Sequence, residues 1–182
     1  MKIISTKLKD LFIIEPTVFE DNRGFFYESF SDKKLQDAGL EYNFIQDNHS
    51  KSSYGVLRGL HYQNAPYAQA KLVRVVQGKV LDVVVDIRKD SPTYGQHFSL
   101  EISAENKMQL LIPRGFAHGF VVLSETCEFL YKCDNTYDKA SEGGIAYNDP
   151  SLNIDWMISE KDVILSDKDK ENPTLENAIF NF

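Results

Sequence analysis

The segment "GVLRGLHYQ", residues 55–63, holds two side chains that can do chemistry among residues typical of a core strand. Arg58 carries a permanent positive charge, and His61 has the side-chain type that titrates nearest to neutral pH. A regular strand sends these two side chains to opposite faces. Gly59 lies between them, and a glycine inside a strand often marks a bulge that redirects its neighbours. We predict that a bulge brings Arg58 and His61 into one pocket; a structural histidine in the core is the alternative interpretation.

The segment "QDNHSKSS", residues 46–53, is polar on both faces of a strand. Such a strand is not an ordinary core strand. Either it is a solvated edge strand, or one face lines a cavity and offers neutral donors and acceptors to a hydroxyl-rich ligand. Strand alternation places Gln46, Asn48, Ser50 and Ser52 on one face and Asp47, His49, Lys51 and Ser53 on the other.

Two further side chains have both a structural and a functional interpretation. Lys71 precedes the apolar run "LVRVV" and is either a solvated strand end or a cation in a pocket. Tyr131, in "CEFLYKC", shares a strand face with Phe129 and both cysteines. If it is a core tyrosine, its phenol needs a hydrogen-bond partner. Spacing alone leaves both interpretations open for each residue.

The segment "IPRGFAHGF", residues 112–120, has the spacing Pro-x-Gly-x-x-His. This spacing resembles the second motif of the cupin superfamily, whose histidine, here His118, often binds a metal. Metal-binding cupins also bring a His-x-His pair and a glutamate, whereas His61 has Gly59 and Gln63 at the neighbouring positions. A histidine pair without a suitably placed carboxylate is a poor metal site. We therefore expect a pocket without metal, in which His118 forms hydrogen bonds.

Strands must position these side chains, because apolar, β-branched runs recur along the chain with turn residues between them. This rhythm favours a mainly antiparallel β sandwich or barrel. The segment 31–40 is predicted as a helix with Ser31 as its N-cap. The last part, from Trp156 on, is polar with sparse apolar residues, so we expect it to wrap over the β core and hold a short helix. The predicted strands are residues 71–78, 79–88, 96–102, 108–112, 119–123 and 127–133.

Composition limits the functional classes. The 182 residues carry a formal net charge of −7, so broad attraction to nucleic acid or to an anionic membrane is not expected. No apolar run approaches the ~18 residues of a membrane-spanning helix. Cys127 and Cys133 lie roughly 20 Å apart if they share a strand, too far for a disulfide. We predict a single domain over residues 1–182 in the reducing cytoplasm.

Seven motifs, in order over about residues 1–175, resemble the dTDP-4-dehydrorhamnose 3,5-epimerase family. The resemblance implies a jelly-roll cupin fold with a few short helices, no metal or organic cofactor, and a homodimer. It also implies conversion of dTDP-4-dehydro-6-deoxy-D-glucose to dTDP-4-dehydro-L-rhamnose. The motifs are "DNRGFFYESF", "QDNHSKSSYGVLRGLHYQ", "KLVRVVQGKVLDVVVDIRKDSPTYG", "IPRGFAHGFVVLS", "YKCDNTYDKASEGGIAYNDP", "IDW" and "LSDKD".

The same resemblance assigns four residues to proton transfer next to a ketone. His61 corresponds to the general base, and Asp169 of "SDKD" corresponds to the carboxylate that holds it. Tyr131 corresponds to the proton donor on the opposite face of the sugar. Lys71 corresponds to the cation near the C4 oxygen, where it stabilises enolate charge.

Contacts to the dTDP-sugar are implied at other positions. Arg58 corresponds to a residue near the sugar and diphosphate, Lys168 to a further ligand contact, and Tyr137 to an aromatic ring that stacks on thymine. In such dimers the N-terminal region reaches the neighbouring subunit and serves its site. The N-terminal contacts are Arg23, also at the sugar and diphosphate, Phe26, which encloses the base, and Glu28; the remaining contacts are Gln46, Asp47, Asn48, His118 and Glu142.

Three alternatives remain at this stage. A C3- or C5-selective dTDP-4-ketosugar epimerase shares the acid–base residues, and its product depends on how Tyr131 is aimed. A metal-dependent cupin oxygenase would hold a transition metal. A nucleotide-sugar-binding cupin without catalysis would have no need for His61, Lys71, Tyr131 and Asp169 together.

Overall fold

Two antiparallel sheets build the protein, and the computed structural model describes residues 1–182. The helices are α1, Asp32–Asp37, and α2, Asp167–Lys170, and single 3-10 turns span Lys139–Ser141 and Glu160–Asp162. The strands are β1 (Lys2–Ser5), β2 (Phe12–Glu15), β3 (Val18–Asp21), β4 (Gly24–Tyr27), β5 (Gln46–Ser53), β6 (Leu57–Gln63), β7 (Lys71–Gln77), β8 (Lys79–Asp86), β9 (His97–Ser103), β10 (Gln109–Ile112), β11 (Phe116–Val122), β12 (Thr126–Cys133) and β13 (Glu142–Gly144).

Sheet order separates neighbours in the sequence. Six strands form one sheet in the order β1-β2-β10-β7-β12-β5, and five form the other in the order β13-β6-β11-β8-β9. Strands β3 and β4 form a separate two-stranded hairpin. This arrangement confirms the predicted mainly antiparallel β sandwich, and the predicted strands are confirmed to within a few residues.

The main core lies between the two sheets. Alternate residues of β7, β10 and β12 meet alternate residues of β8, β9 and β11 there. Phe120 and Phe129 stack across this interior with their ring centroids 4.2 Å apart, a geometry worth about 0.5–1.5 kcal/mol beyond burial. Because both sheets contribute apolar faces, this layer is apolar except where polar side chains enter at one end.

A second core covers the outer face of the five-stranded sheet. Leu81, Val83 and Val85 of β8 point outward and pack against the C-terminal segment through Leu152, Trp156 and Phe180, among others. The prediction that the last part of the chain wraps over the β core and holds a short helix is confirmed. A parallel bridge between Val56 and Ile164 joins this segment to the edge of the sandwich.

The N-terminal region holds four strands that the sequence analysis did not predict. β1 and β2 extend the six-stranded sheet, whereas the β3–β4 hairpin stands apart from both sheets. Helix α1 is the predicted one: the hydroxyl of Ser31 accepts from the backbone N–H of Lys34, and Leu35 buries against the outer face of the sheet. The two α-helices have only 6 and 4 residues, so neither can span a membrane.

The cysteines lie as the spacing predicts. Cys127 and Cys133 stand at the two ends of β12, both buried and both free thiols. Burial raises the pKa of Cys127 to about 12. The prediction that they do not bridge is therefore confirmed.

The bulge predicted at Gly59 is present in β6. Arg58 pairs with Phe120 and His61 pairs with His118, so two residues of β6 oppose the single Gly119 between those partners. Phe120 and His118 share a face of β11, and Arg58 and His61 therefore share a face as well. Leu57, Leu60 and Tyr62 point outward into the second core.

Glycine is required at this bulge for two separate reasons. Gly59 has φ +130°, a backbone conformation that other residues rarely adopt. A methyl group added to it would also meet the Cα of Gly119 at 2.5 Å and the carbonyl oxygen of His118 at 2.8 Å. Both neighbours are backbone atoms, so two strands would have to move apart.

We expect Gly59→Ala to lower the free energy of unfolding by more than Gly24→Ala. Gly24 has a similar φ of +123° but has no atom within 4 Å of an added methyl. Both variants place alanine at a positive φ, which costs about 1–3 kcal/mol. Only Gly59→Ala also pushes β6 and β11 apart. Chemical denaturation of the two variants measures the difference, and equal losses would contradict the close contact between the strands.

Candidate active site

A cavity of about 500 Å³ opens between the two sheets at the end where β5, β6, β7, β11 and β12 meet. The segment 164–169, which includes the start of α2, closes one side of it. The predicted residues that line this cavity are Asn48, Arg58, His61, Lys71, His118, Tyr131, Lys168 and Asp169.

His61 and Asp169 form a short hydrogen-bonded pair in the cavity. The Nε2 atom of His61 lies 2.5 Å from Oδ1 of Asp169, whose side chain is 4% exposed. Ser166 caps α2 by accepting from the backbone N–H of Asp169, which sets the position of the carboxylate. Burial acts to raise the pKa of Asp169, but hydrogen bonds from His61 and Ser166 outweigh it and the net pKa is lowered. Asp169 therefore stays ionised and orients the imidazole ring.

Tyr131 enters the cavity from the opposite sheet. It lies on the inner face of β12 beside Phe129, with the two ring centroids 6.1 Å apart. Burial raises the pKa of its phenol. Tyr131 is therefore a neutral proton donor at neutral pH, on a different wall of the cavity from His61.

Lys71 begins β7 and points into the same cavity. Cys133 of β12 is its cross-strand partner. Burial lowers the pKa of Lys71, while the neighbouring Cys133, Asp82 and Glu142 act against that lowering. The solvated strand end is the wrong interpretation for Lys71, because its side chain lines the cavity.

His118 is almost fully buried behind His61. Its Nε2 atom lies 2.9 Å from Oδ2 of Asp82, which has no exposed surface. Burial lowers the pKa of His118, so the ring is neutral at neutral pH. No three His, Cys, Asp or Glu side chains come together in a geometry that could hold a metal ion.

Both interpretations of the polar strand β5 prove partly correct. It is the edge strand of the six-stranded sheet, yet its even-numbered face lines the interior through Asn48 and Ser50. Ser52 on that face accepts from the Arg58 guanidinium at 3.2 Å and holds it toward the cavity. The odd-numbered face points to solvent.

A neighbouring cavity of about 320 Å³ continues the site and shares Asn48, His61, Lys71 and Tyr131 with the first. It holds the predicted contacts Gln46, Tyr137 and Glu142. The Glu142 carboxylate accepts from Lys168 at 2.6 Å and from the Tyr137 hydroxyl at 3.2 Å. Tyr137 is more than half exposed, so one face of its ring is free to meet a flat ligand group.

Four predicted contacts lie outside both cavities. Asp47 is on the outer face of β5 and pairs with Lys132 at 2.9 Å. Arg23, Phe26 and Glu28 belong to the β3–β4 hairpin region; Arg23 pairs with Asp21, Glu28 pairs with Lys34, and Phe26 is 72% exposed. The folded chain does not bring these N-terminal residues to its own cavity.

Some residues of the site were missed by the sequence analysis. Ser166 positions Asp169, and Asp82 anchors His118. An aspartate inside the apolar run "KVLDVVVDIR" was the available signal for Asp82, because a charge rarely enters a core strand without a partner. Ser166 left no such signal.

The arrangement suits proton transfer at a carbon next to a carbonyl group. It combines an imidazole base held by a carboxylate, a neutral phenol on another wall, and a half-buried lysine whose ammonium form can stabilise an oxyanion. Arg58 and Lys168 add cations that suit a phosphate-bearing ligand, even though the chain is acidic overall.

Known proteins share this fold and much of this sequence. The family model described as dTDP-4-dehydrorhamnose 3,5-epimerase matches residues 5–177. A protein of that name from Shigella flexneri is 57% identical over 170 residues, which make up 93% of each chain. The crystal structure of such an enzyme from Elizabethkingia anophelis superimposes with a TM-score of 0.94 at 58% identity over 97% of both chains.

A further solved structure carries a ligand. It is dTDP-6-deoxy-D-glucose-3,5-epimerase from Legionella pneumophila in complex with dTDP-4-keto-L-rhamnose. It is similar to this chain with a TM-score of 0.93 and 51% identity, over 97% of this chain and 93% of that one.

Replacing Asp169 by asparagine should change how stability depends on pH. The pKa of Asp169 is lowered in the folded chain, so its ionised form stabilises the fold above the unfolded-state pKa. That stabilisation is lost as the pH falls through the lowered pKa. We therefore expect the difference in unfolding free energy between wild type and Asp169→Asn to be largest near pH 6–7 and to shrink below about pH 4.

Asp167→Asn is the matched control on the same helix. Its side chain is 99% exposed and pairs with Lys170 in solvent, so its small effect should disappear in added salt. Denaturation series at several pH values test this. A pH-independent difference for Asp169→Asn would mean that the His61 pair does not stabilise the ionised carboxylate.

Proposed function

We propose a residue-by-residue mechanism for this chain, which belongs to the dTDP-4-dehydrorhamnose 3,5-epimerase family. The chain is an isomerase that converts dTDP-4-dehydro-6-deoxy-D-glucose to dTDP-4-dehydro-L-rhamnose. Its sandwich is of the cupin type. We treat residues 1–182 as one catalytic domain, in agreement with the family match over residues 5–177.

The C4 ketone makes the chemistry possible, because it acidifies the C–H bonds at C3 and C5. His61 removes such a proton through the ring nitrogen that Asp169 does not hold, and the C–H electron pair becomes an enolate on the C4 oxygen. Asp169 stabilises the imidazolium that forms. The convergence of His61, Asp169, Tyr131 and Lys71 on one cavity is the observation that carries this assignment.

Lys71 and Tyr131 complete the inversion. The Lys71 ammonium faces the C4 oxygen and stabilises the enolate; removal of such a contact typically costs roughly 3–4 kcal/mol of barrier. Tyr131 then gives its phenolic proton to the carbon from the opposite face. Burial raises the pKa of the phenol, so Tyr131 stays protonated until the enolate has formed. His61 then releases its proton to solvent and Tyr131 takes one up from solvent, after which the same two steps at the second carbon give the double epimer.

The nucleotide extends from the cavity toward the neighbouring one. Arg58 and Lys168 contact the sugar and diphosphate, since guanidinium and ammonium groups suit phosphate oxygens. Tyr137 stacks on thymine, and the exposure of its ring supports this role. Further substrate contacts come from Gln46, Asn48, His118 and Glu142.

The β3–β4 hairpin completes the site of a second subunit in a homodimer. Phe19, Phe25 and Phe26 are all more than half exposed, and so many aromatic rings in solvent favour a partner surface. Arg23, Phe26 and Glu28 therefore act in the partner's cavity rather than in their own.

Two free cysteines support the cytoplasm as the location of the protein, and cell fractionation tests this.

Solvent exchange tests the reaction and the base together. Incubation with the 4-keto substrate in D₂O should place deuterium at both C3 and C5, read by NMR. His61→Asn should abolish exchange at both carbons while dTDP binding persists, because the amide cannot accept the proton. Deuterium at C3 alone would indicate a C3-selective epimerase, at neither carbon would exclude catalysis, and near-normal exchange by the variant would reject His61 as the base.

Mixed dimers test the shared site. His61→Asn and Arg23→Ala should each be nearly inactive alone, whereas co-refolded mixtures should recover roughly a quarter of the wild-type activity. Only the mixed dimer pairs an intact His61 cavity with an intact hairpin from its partner, and random pairing makes about half of the dimers mixed. A mixture no more active than the average of the two variants would place Arg23 in its own subunit's site or outside any site.

A further inference from the structure

We propose that Asp82 is a positioning residue, which holds His118 in one tautomer and supplies the counter-charge that keeps Lys71 protonated inside the sandwich. This inference rests on the proposed role of Lys71 at the C4 oxygen.

Asp82 occupies a core position that its neighbours fill with valine. It lies on the inner face of β8 with Val80 and Val84, and it has no exposed surface. Its Oδ2 atom accepts from His118 at 2.9 Å, whereas Oδ1 is buried without a hydrogen-bond partner. A buried carboxylate with one unsatisfied oxygen is unfavourable for folding, so packing does not explain its presence.

Asp86 shows what a structural aspartate looks like on the same strand. It lies four residues further along, on the same face and equally buried. Both of its oxygens are satisfied, by Arg88, Ser91 and Thr93. The two carboxylates therefore differ in their partners rather than in their burial.

Lys71 lacks a charge partner, whereas Asp82 lacks a hydrogen-bond donor for one of its oxygens. Lys71 comes from the facing sheet and takes part in no ion pair of the chain, although several charged groups surround it. Among the carboxylates acting on it, Glu142 is already paired with Lys168 at 2.6 Å, whereas Asp82 is bound only through Oδ2 and keeps Oδ1 without a partner. The titratable groups facing Lys71 are Asp82 on β8, His118 on β11, His61 on β6, Tyr131 and Cys133 on β12, and Glu142 on β13.

The charges support one another across the interior. Burial lowers the pKa of Lys71, and the Asp82 charge acts against that lowering. Burial likewise raises the pKa of Asp82, and His118 and Lys71 act against it. A neutral His118 that donates its Nε2–H to Asp82 keeps Nδ1 free to accept from a substrate hydroxyl. Asp82 thus acts on the reaction through two other residues without touching the substrate.

Loss of the Asp82 charge should shift the pH range of catalysis. A negative charge favours protonated Lys71, so Asp82→Asn should move the alkaline limb of the kcat/KM profile to lower pH by about one unit or more. Activity at neutral pH should fall as well, by about tenfold. Asp86→Asn is the matched control: it should lower the unfolding temperature and leave the alkaline limb unchanged.

The outcomes separate this inference from the proposed function. A folded Asp82→Asn variant whose alkaline limb matches that of an active wild type would overturn the inference alone. A wild type that exchanges no deuterium would instead overturn the function. Should Asp82→Asn fail to fold, NMR of wild-type protein labelled with 15N-histidine decides: we expect the His118 proton on Nε2 throughout the active pH range, and a proton on Nδ1 would overturn the inference.

Discussion

The close contact between β6 and β11 at Gly59 and Gly119 is the constraint on which the active site depends. Each glycine leaves no room for a side chain on the other, because added methyl groups would meet the opposite backbone. The extra residue in β6 reverses its alternation at this point. Leu57 and Leu60 stay in the outer core as a result, while Arg58 and His61 both turn inward.

Charged groups inside an apolar sandwich require partners, and the fold supplies them from distant parts of the chain. His61 and His118 are cross-strand partners, and each contacts a carboxylate. His61 contacts Asp169, and His118 contacts Asp82. Asp169 comes 108 residues after His61 and belongs to α2, which lies within the C-terminal segment that also covers the outer core. The covering segment therefore contributes to stability and to catalysis at once, because the apolar contacts that hold it also fix the carboxylate.

The two sheets divide the catalytic work between them. The five-stranded sheet carries His61, Arg58 and His118, and the six-stranded sheet carries Lys71, Tyr131 and Asn48. A ligand between the sheets can therefore meet a base on one side and an acid on the other, which inversion at carbon requires. The interior Phe120–Phe129 stack holds the two walls together immediately behind these groups. Rigid walls suit this chemistry, since proton transfer depends on short and well-aligned contacts.

Local patterns in the sequence determined most of the strands, the helix after Ser31, the polar face of β5 and the bulge at Gly59. These features follow from side-chain alternation, capping and glycine conformation, which act between residues close in the chain. The roles of His61, Lys71, Tyr131 and Asp169 came from resemblance, because spacing alone left each of the first three with a structural alternative. Only the tertiary structure decided that Asp82 anchors His118 and that the β3–β4 hairpin lies away from its own cavity. It also decided the pairing of the short strands β1 and β2. The physical reason is that these contacts depend on the order of strands in the sheets and on which strand faces become interior. Neither property can be predicted from residues that are neighbours in the sequence.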